Sequence, residues 1–288
     1  MRAITGPSCC VCGATMETRI RGWSYRCPRR HVWASTLEVT INDGSGIDEV
    51  AREIGLDTIR HQNNQLVLGV LNEIRPLQGA RLLDVGSAHG WFIAAAAAHG
   101  ARVEGIEPEE AIAEISQLRD SVRTGFFPDV LSPDEMVDII TFNDVLEHLP
   151  DPAAAVESSF SHLVEGGLLS INIPNNRGVA FGIARVAARL GAGGPYDRLW
   201  QKGLQSPHLW YFNPDSLAEL GAKFGFKIAR IGHLPAITRA GLWHRVHMDR
   251  QPTVATRLQF AVLYVLSPVL NSARFSDIVH IVLVRPAS

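Results

Sequence analysis

The order of apolar and polar residues predicts strands and helices that alternate along most of the chain. Apolar runs bounded by glycine or polar residues predict seven strands, the third of them weak, at 81–85, 102–106, 121–127, 137–142, 168–173, 226–231 and 278–284. Apolar residues at helical spacing predict helices at 64–74, 91–98, 108–118, 152–165 and 214–224. This alternation predicts an α/β fold with a doubly wound, mostly parallel seven-stranded sheet covered by helices on both faces.

Four parts of the chain differ from this alternation. Residues 1–35 contain every cysteine and predict a small zinc-ribbon-like module, and residues 36–57 predict a polar linker to a main domain at 58–288. Insertions at 177–212 and 233–275 interrupt the main domain. The first contains an amphipathic helix with two arginines, and the second contains five arginines, one aspartate and an apolar helix. We expect both insertions to shape a ligand pocket.

The four cysteines lie within the first 27 residues, which is typical of a metal site and not of a disulfide framework. Cys9 and Cys12 have the spacing of a zinc knuckle, in which two thiolates bind one ion. Cys27 and His31 would complete a tetrahedral site of three cysteines and one histidine. Four protein ligands leave no open coordination position, so such a zinc ion would be structural.

Two alternatives stay open at this site. Cys10 could replace Cys9, although it has a poorer knuckle spacing to Cys12. A second knuckle usually has cysteine where this chain has Arg30. The chain could therefore contain a degenerate ribbon without metal, in which His31 is an ordinary surface residue.

The composition is typical of a folded globular protein and not of a nucleic-acid-binding or membrane-spanning one. The chain has 288 residues, of which 46% are hydrophobic and 19% are charged, and this is the balance of a folded globular protein. With 27 lysines and arginines against 29 aspartates and glutamates, it lacks the basic excess typical of a nucleic-acid binder. Its start has no apolar segment typical of a secretory signal, and its longest strongly apolar stretch, 260–270, is shorter than the ~20 residues of a membrane span. We therefore expect a cytoplasmic enzyme without a nucleic-acid partner.

The clearest candidate site follows the first predicted strand of the main domain. There Gly86 and Gly90 flank a turn of small residues, where the backbone can bend sharply and approach a ligand. Glu107 ends the next predicted strand about 20 residues later, where a carboxylate can accept both hydroxyls of an adenosine ribose. The alternative is an ordinary tight turn, with Glu107 capping the following helix. Trp91 stands in place of the third glycine of a dinucleotide motif, which disfavours NAD.

Five segments carry a resemblance to a known family. In chain order they read LLDVGSAHGWF, VEGIEP, NDVLEHLPDP, GGLLSINIPN and HLWYFNPDSL. They resemble the class I S-adenosylmethionine-dependent methyltransferases, in the branch that includes quinone-biosynthesis enzymes, and they occur in that family's order. The family has a Rossmann-like fold, so the resemblance implies the same sheet as the apolar pattern. The cysteine-rich ribbon is similar to that of a subset acting on sugars and natural products.

The resemblance implies S-adenosylmethionine as the cofactor and assigns nine residues to its site. Asp84 would lie beneath the turn, Glu107 would bind the ribose diol, and Asn143 would face the methyl-bearing region. The other six would surround the methionine, ribose and adenine portions: Gly86, Ser87, Ala88, Gly90, Pro108 and Phe126. Phe126 departs from the family pattern, because an acid often stands there and contacts the adenine amine.

Methyl transfer to a hydroxyl requires removal of a proton, and two histidines are candidates for this base. His148 follows the fourth predicted strand, and His208 lies in the first insertion. The alternative role for His148 is to orient its loop through Glu147. We expect the acceptor to be a hydroxyl, or less favourably a carbon, of a sugar, nucleotide-sugar or natural-product intermediate. A lipid-linked or quinone-type acceptor is the alternative.

Other partners and functions also stay open. The apolar segment at 254–270 could contact lipid or a membrane surface, and the other interpretation is an ordinary packed helix. The chain could be an NAD-dependent oxidoreductase, or a non-catalytic adaptor that docks a partner protein through its cysteine-rich module. The intact turn and Glu107 argue against the adaptor, because a site without a ligand does not need them.

Overall fold

The computed structural model describes residues 6–40, 49–247, 253–272 and 275–287. The strands are β1 (Glu17–Arg19), β2 (Arg21–Arg26), β3 (Trp33–Ser35), β4 (Arg81–Val85), β5 (Arg102–Glu107), β6 (Val122–Thr124), β7 (Val137–Asn143), β8 (Leu163–Pro174), β9 (Trp210–Tyr211), β10 (Lys227–Leu234) and β11 (Ile278–Val284). The helices are α1 (Glu49–Ile74), α2 (Trp91–Ala98), α3 (Glu110–Glu114), α4 (Pro152–His162), α5 (Val179–Arg189), α6 (Gly194–Leu199), α7 (Pro214–Lys223), α8 (Leu242–His247) and α9 (Val254–Leu270).

Seven strands form one sheet in the order β10-β11-β8-β7-β4-β5-β6. The strands from β8 to β6 in this order run parallel, whereas β11 is antiparallel to both β8 and β10. This confirms the predicted α/β fold with its mostly parallel seven-stranded sheet. Strand β4 lies between β5 and β7, so the segments that follow these three strands meet at one edge of the sheet.

Alternating side chains of the central strands enter two different hydrophobic clusters. Leu82 and Ile139 pack with side chains of α1 and α2, whereas Leu83 and Ile140 pack with side chains of α4 and α7. Successive residues of a strand point to opposite faces of the sheet, so helices cover both faces. Burial of each of these side chains stabilises the fold by about 1.5–3 kcal/mol relative to exposure.

The helices that follow Asp151 and Asn213 begin where the sequence predicts. The Asp151 side chain accepts a hydrogen bond from the Ala154 N–H at 3.0 Å, and Asn213 forms a capping box with Ser216. However, α4 ends at His162, four residues before Gly166, where the helical spacing predicts its end. Leu163 is extended, fully buried and paired with Val137 of β7, so sheet pairing overrides the helical pattern.

Two other helix limits differ from the prediction. Helix α1 begins at Glu49, so residues 49–57, expected to be linker, are helical. Their sequence is rich in strong helix formers, and Val50 and Ile54 have helical spacing, so the segment carries a helix signal that the mixed, polar composition of 36–57 obscured. Helix α3 covers only Glu110–Glu114 of the predicted 108–118. Residues 41–48 of the expected linker lie outside the described residues, as do 248–252 and 273–274 of the second insertion.

The N-terminal strands form a second sheet that includes one strand of the main domain. The order is β1-β2-β3-β9, all antiparallel, and Trp33 of β3 pairs with Tyr211 of β9. Arg21 donates hydrogen bonds to both carboxylate oxygens of Asp197, at 3.2 and 3.3 Å. The side chains of Cys9, Tyr25 and Val32 belong to the same hydrophobic cluster as the large sheet. The N-terminal module is therefore built into the wall of the main domain, beside the first insertion.

Candidate active site

The turn after β4 is held against β5 and needs glycine. The N–H groups of Gly86 and Ser87 both donate to the main-chain oxygen of Ile106, at 2.7 and 3.0 Å. Gly86 has φ +71°, and a Cβ atom there would lie 2.6 Å from the Val145 side chain. At Gly90, with φ +77°, a Cβ would lie 2.3 Å from Oγ of Ser116. A side chain at either glycine would therefore strain the backbone and fill the space around the turn.

Glu107 is held in one orientation by the turn that it faces. One of its carboxylate oxygens accepts the Ala88 N–H at 2.9 Å, and the other accepts the Glu109 N–H at 3.0 Å. Burial raises the pKa of this carboxyl above its ordinary value. Each oxygen accepts one of these hydrogen bonds and keeps further lone-pair capacity, and Glu107 lines the cavity, so its carboxylate is able to accept ligand hydroxyls.

Asp84 and Asn143 lie behind the turn and not on the cavity wall. Asp84 is buried, and its Oδ1 accepts hydrogen bonds from Oγ1 of Thr141 at 2.5 Å and Nδ2 of Asn143 at 2.8 Å. The Asn143 amide oxygen accepts from Nδ2 of Asn172 at 2.7 Å. Burial raises the pKa of Asp84 to about 7. Asp84 thus lies where expected, whereas Asn143, expected to face the methyl-bearing region, instead connects β7 to β4 and β8.

One cavity of about 1200 Å³ joins the two groups of predicted site residues. The turn after β4 and the segments after β5 and β6 make one wall of this cavity, which we call the cofactor side. This wall contains five of the nine expected residues: Gly86, Ala88, Glu107, Pro108 and Phe126. Ser87 and Gly90 shape the turn from behind. Its acceptor side, made by Glu147, His148, the 198–211 segment and helix α5, contains both candidate bases.

His148 has a tautomer fixed by its surroundings. Its Nδ1 lies 3.0 Å from the main-chain oxygen of Pro207. A carbonyl oxygen can only accept, so Nδ1 carries the proton and Nε2 is the basic nitrogen of the neutral ring. Oγ of Ser206 lies 3.2 Å from the same Nδ1. Both contacts come from the first insertion, which thereby orients a side chain of the loop after β7.

His208 has hydrogen-bond partners at both ring nitrogens. The Tyr211 hydroxyl donates to the main-chain oxygen of Leu199 at 2.7 Å and accepts from Nδ1 of His208 at 3.0 Å. Nε2 of His208 then accepts from the Gln201 amide at 2.9 Å. Burial raises the pKa of Tyr211 well above its ordinary value, so the hydroxyl keeps its proton. The His208 ring contacts the His148 ring edge to face, with centroids 4.8 Å apart.

Glu147 is a buried acid beside these histidines. Its Oε1 lies 4.0 Å from Nε2 of His148, and neither carboxylate oxygen has a hydrogen-bond partner among the described residues. Burial, and then the charge of Asp144, raises the pKa of Glu147 well above its ordinary value. Ligand-capable atoms of Glu147, His148 and His208 lie within 4.8 Å of one another. One carboxylate and two imidazoles can move a proton, and the same set can also bind a divalent metal ion.

The four expected metal ligands also come together, far along the chain from the cavity residues. Ligand-capable atoms of Cys9, Cys12, Cys27 and His31 lie within 4.8 Å of one another. Of the two alternatives at the first position, the structure brings Cys9 into the group and leaves Cys10 outside it.

Helix α9 leaves most of its apolar side chains exposed. Its seven exposed large apolar residues are Val254, Leu258, Val262, Tyr264, Val265, Leu266 and Val269. Its only charged residue is Arg257, and Gln259 and Leu263 line the cavity. Within the described ranges, no helix combines the length and apolar character needed to cross a bilayer.

Sequence reasoning missed the residues that orient the candidate bases. Gln201, Tyr211 and the Pro207 carbonyl come from a segment without regular spacing, and nothing in their residue types indicates contact with the loop after β7. Asn172 could have been found, because it lies near the end of a predicted strand next to β7 and so at the same sheet edge.

A family model, a sequence relative and several solved structures connect this chain to methyltransferases. A family model described as a methyltransferase domain matches residues 59–231, which is more than half of the chain. A ubiquinone biosynthesis O-methyltransferase of Paracidovorax citrulli (strain AAC00-1) is 33% identical over 139 residues, covering 44% of this chain and 58% of that protein. The chain thus spans less than two thirds of this relative's length.

Solved structures show the same fold at low sequence identity. A chain from the complex between the Haloferax volcanii Trm112 methyltransferase activator and the putative methyltransferase has a TM-score of 0.58 and 15% identity, over 83% of this chain and 95% of that chain. Magnesium protoporphyrin IX methyltransferase from Synechocystis PCC 6803, solved with bound SAH, has a TM-score of 0.53 and 16% identity, over 85% and 90%. The family model covers more than half of the chain, and the fold and the turn after β4 agree with it. This chain therefore belongs to the class I S-adenosylmethionine-dependent methyltransferases.

Proposed function

We propose that the protein is an S-adenosylmethionine-dependent O-methyltransferase that acts on a hydroxyl of a quinone-type acceptor with an apolar tail. The observation that carries the proposal is that one cavity holds the Gly86 turn and Glu107 together with His148, a histidine whose basic nitrogen is defined. The first group fits an adenosine ligand, and the second supplies the base that a hydroxyl acceptor needs.

The residues present fit S-adenosylmethionine, which supplies a methyl group on a positively charged sulfur. Glu107 would accept the hydroxyls of its ribose, because both carboxylate oxygens are already oriented by backbone N–H groups. Gly86 and Ala88 would let the ligand approach the backbone, and Pro108 and Phe126 would flank the adenine. Asp84, Ser87, Gly90 and Asn143 would act from behind, by holding the shape of the turn.

His148 is the base in this proposal, and His208 is a positioning residue. Nε2 of His148 accepts the acceptor's hydroxyl proton while the oxygen takes the methyl group and S-adenosylhomocysteine leaves. The resulting positive charge on His148 lies 4.0 Å from the Glu147 carboxyl. The charge favours ionisation of Glu147, and the ionised carboxylate in turn stabilises the protonated histidine. His208 has partners at both nitrogens, so it holds the His148 ring in place from the side.

Two observations favour a quinone-type acceptor over a sugar. The relative quoted above is named for ubiquinone biosynthesis. Apolar side chains of α5 and α9, including Phe181, Ile183 and Leu263, line the cavity. Other apolar residues of α9 are exposed, and they support contact with a lipid surface that contains the acceptor's tail.

Two measurements test the proposal. Calorimetric titration with S-adenosylhomocysteine is expected to show micromolar binding, while NAD, titrated in parallel, does not bind. Transfer of labelled methyl groups is then measured to a tailed quinone-type phenol in lipid vesicles, to its tail-less analogue, and to a nucleotide sugar. The tailed phenol is expected to give the highest kcat/KM.

Each contrary result overturns a defined part of the proposal. Failure to bind S-adenosylhomocysteine overturns the methyltransferase activity itself, and binding of NAD in its place would favour an oxidoreductase. Faster transfer to the nucleotide sugar overturns the quinone-type acceptor only. Equal rates for the tailed and tail-less phenols overturn the role of the apolar surface of α9.

A further inference from the structure

Four ligand-capable side chains meet within the N-terminal module. Cys9, Cys12 and Cys27 are free thiols, and their Sγ atoms and a ring nitrogen of His31 lie within 4.8 Å of one another. The Sγ atoms of Cys12 and Cys27 are 3.7 Å apart. A tetrahedral zinc ion with bonds of about 2.3 Å to sulfur requires sulfur atoms roughly 3.8 Å apart. These two thiols therefore have the spacing of a zinc site.

His31 supplies a second, independent observation. Its Nδ1 is buried and lacks a hydrogen-bond partner in the part of the chain that the structure describes, while its Nε2 lies 3.2 Å from Oε2 of Glu219. A metal-bound histidine usually donates its other ring N–H to a carboxylate, which fixes the tautomer and makes the ligand nitrogen more basic. Nδ1 is thus the nitrogen left for a metal ion. Glu219 lies on α7, so this contact joins the module to the main domain.

Two turns place the four ligands, and the second turn lets His31 act in place of a cysteine at position 30. The Gly13 N–H donates to the main-chain oxygen of Cys9 at 2.8 Å, which closes a knuckle around the first two thiols. The Arg30 N–H donates to the main-chain oxygen of Cys27 at 2.9 Å, and Arg30 itself has φ +63°. This second turn places the following residue, His31, beside Cys27, so the histidine takes the position of the missing fourth thiol.

The same loop and the strand that follows it, β3, are hydrogen-bonded to the main domain. The main-chain oxygen of His31 accepts from Nδ2 of Asn213 at 2.8 Å. Ser35, at the end of β3, donates through its Oγ to the main-chain oxygen of His208 at 2.8 Å and through its N–H to that of Leu209 at 2.8 Å. The position of β3 therefore sets the position of His208.

We propose that Cys9, Cys12, Cys27 and Nδ1 of His31 bind a structural zinc ion, with Glu219 as the outer partner of His31, and that this ion holds β3 and thereby the acceptor side in place. The ion has four protein ligands and takes no part in methyl transfer. The part that concerns His208 rests on the proposed function, whereas the binding of zinc does not.

The metal content of the full-length protein tests the first part. Protein purified without chelators is expected to contain one zinc ion bound by this site, measured by inductively coupled plasma mass spectrometry. Cys27→Ser is expected to lose this ion. Cys10→Ser, the same change beside the cluster, is the matched control and is expected to keep it. Protein loaded with Co²⁺ should show thiolate-to-cobalt charge-transfer absorption, which the Glu147 group, having no sulfur, would not produce.

Glu219→Gln tests the outer partner. This variant is expected to keep the zinc ion but to bind it 10–100-fold more weakly in competition with a chromophoric chelator. Glu157→Gln, an equivalent change at an exposed position of α4, is the control and should leave the affinity unchanged. Equal affinities of the Glu219→Gln variant and the unmodified protein would remove Glu219 from the site.

Hydrogen exchange of the unmodified protein tests whether the zinc ion holds the acceptor side in place. This measurement does not depend on whether a variant folds. Removal of zinc by a chelator is expected to speed exchange in peptides covering 31–36 and 205–212, to leave 81–85 unchanged, and to be reversed by added zinc. Zinc that is absent even after reconstitution, or a zinc content that does not fall in Cys27→Ser, overturns the site. Equal exchange with and without zinc overturns its hold on β9. Zinc binding without S-adenosylhomocysteine binding would contradict the proposed function alone.

Discussion

On the cofactor side of the cavity, interacting residues are near neighbours in the chain, whereas the acceptor side joins distant segments. The hydrogen bond from Ala88 to Glu107 connects residues 19 positions apart. The contact between His148 and Pro207 connects residues 59 positions apart. The strand pairing beneath His208 reaches from Trp33 to Tyr211. The turn and Glu107 thus lie within one strand–turn–helix–strand unit, whereas placing the proposed base requires three separate parts of the chain.

The two sides of the cavity also depend on different structural features for their shape. The cofactor side depends on backbone shape, because Gly86 and Gly90 have positive φ and no room for a side chain. The acceptor side depends on side-chain hydrogen bonds, through which Pro207, Tyr211 and Gln201 orient two rings. Substitutions on the two sides should therefore change different measurements: cofactor affinity on one, and turnover with its pH profile on the other.

The largest expected effect is on turnover. His148→Ala removes the proposed base and is expected to lower kcat about 100- to 10,000-fold, with unchanged affinity for S-adenosylhomocysteine. Steady-state kinetics and calorimetry check this pair of outcomes. His99→Ala, an exposed histidine at the end of α2, is the control and should match the unmodified enzyme. Loss of cofactor affinity in His148→Ala would show that the two sides are not independent.

A smaller effect is expected from Glu107→Ala on the cofactor side. Loss of the ribose hydrogen bonds should weaken S-adenosylhomocysteine binding by ~1.5–3 kcal/mol, or about 10- to 150-fold in Kd. Calorimetric titration measures this change, and Glu110→Ala, an exposed acid on α3, serves as its control. A folded Glu107→Ala variant with unchanged affinity would remove Glu107 from the cofactor site.

The smallest effect concerns stability and the acid behind the turn. Burial raises the pKa of Asp84 to about 7 in the folded protein, from an ordinary value of 3.8. The folded state then binds a proton that the unfolded state has released, so the stability that Asp84 contributes is fully present below pH 3.8 and is lost as pH rises through about 7.

Between pH 6 and 7, the unfolding free energy of the unmodified protein should therefore fall by ~1 kcal/mol relative to Asp84→Asn, which has no proton to lose. Urea unfolding at the two pH values measures this difference. Asp120→Asn, at an exposed site, should show no such change relative to the unmodified protein. A difference that is independent of pH would mean that Asp84 ionises in the folded state as it does in the unfolded chain.

The apolar pattern predicted the large sheet because each of its strands is an apolar run that can be recognised without knowing its partner. Helix α2 and strand β11 have the limits that the pattern predicts, and the glycines and Glu107 mark the cofactor side by local chemistry. Strand β9 could not be predicted, because two residues have no periodicity and their partner lies in the N-terminal module. The end of α4 was wrong for a related reason, since the pairing of Leu163 with Val137 is decided by tertiary contact.

The two candidate bases were identified from their places in the sequence, but their different roles were not. Both candidates are the same residue type, so only the contacts of each ring nitrogen separate their roles. Pro207 fixes one tautomer, and Gln201 and Tyr211 occupy both nitrogens of the other ring. Such contacts come from segments without regular structure, whose course a residue pattern does not determine.

The pairing of β3 with β9 also sets an order of events during synthesis. Trp33 leaves the ribosome long before Tyr211 exists, and at roughly 5–20 residues per second the N-terminal strands wait about 10–35 s for their partner. The turns that contain the cysteines need no later residue for their own hydrogen bonds, so they can form at once. The acceptor side is completed only after the first insertion has been translated, so the proposed zinc site would close around its ion before the proposed acceptor site exists.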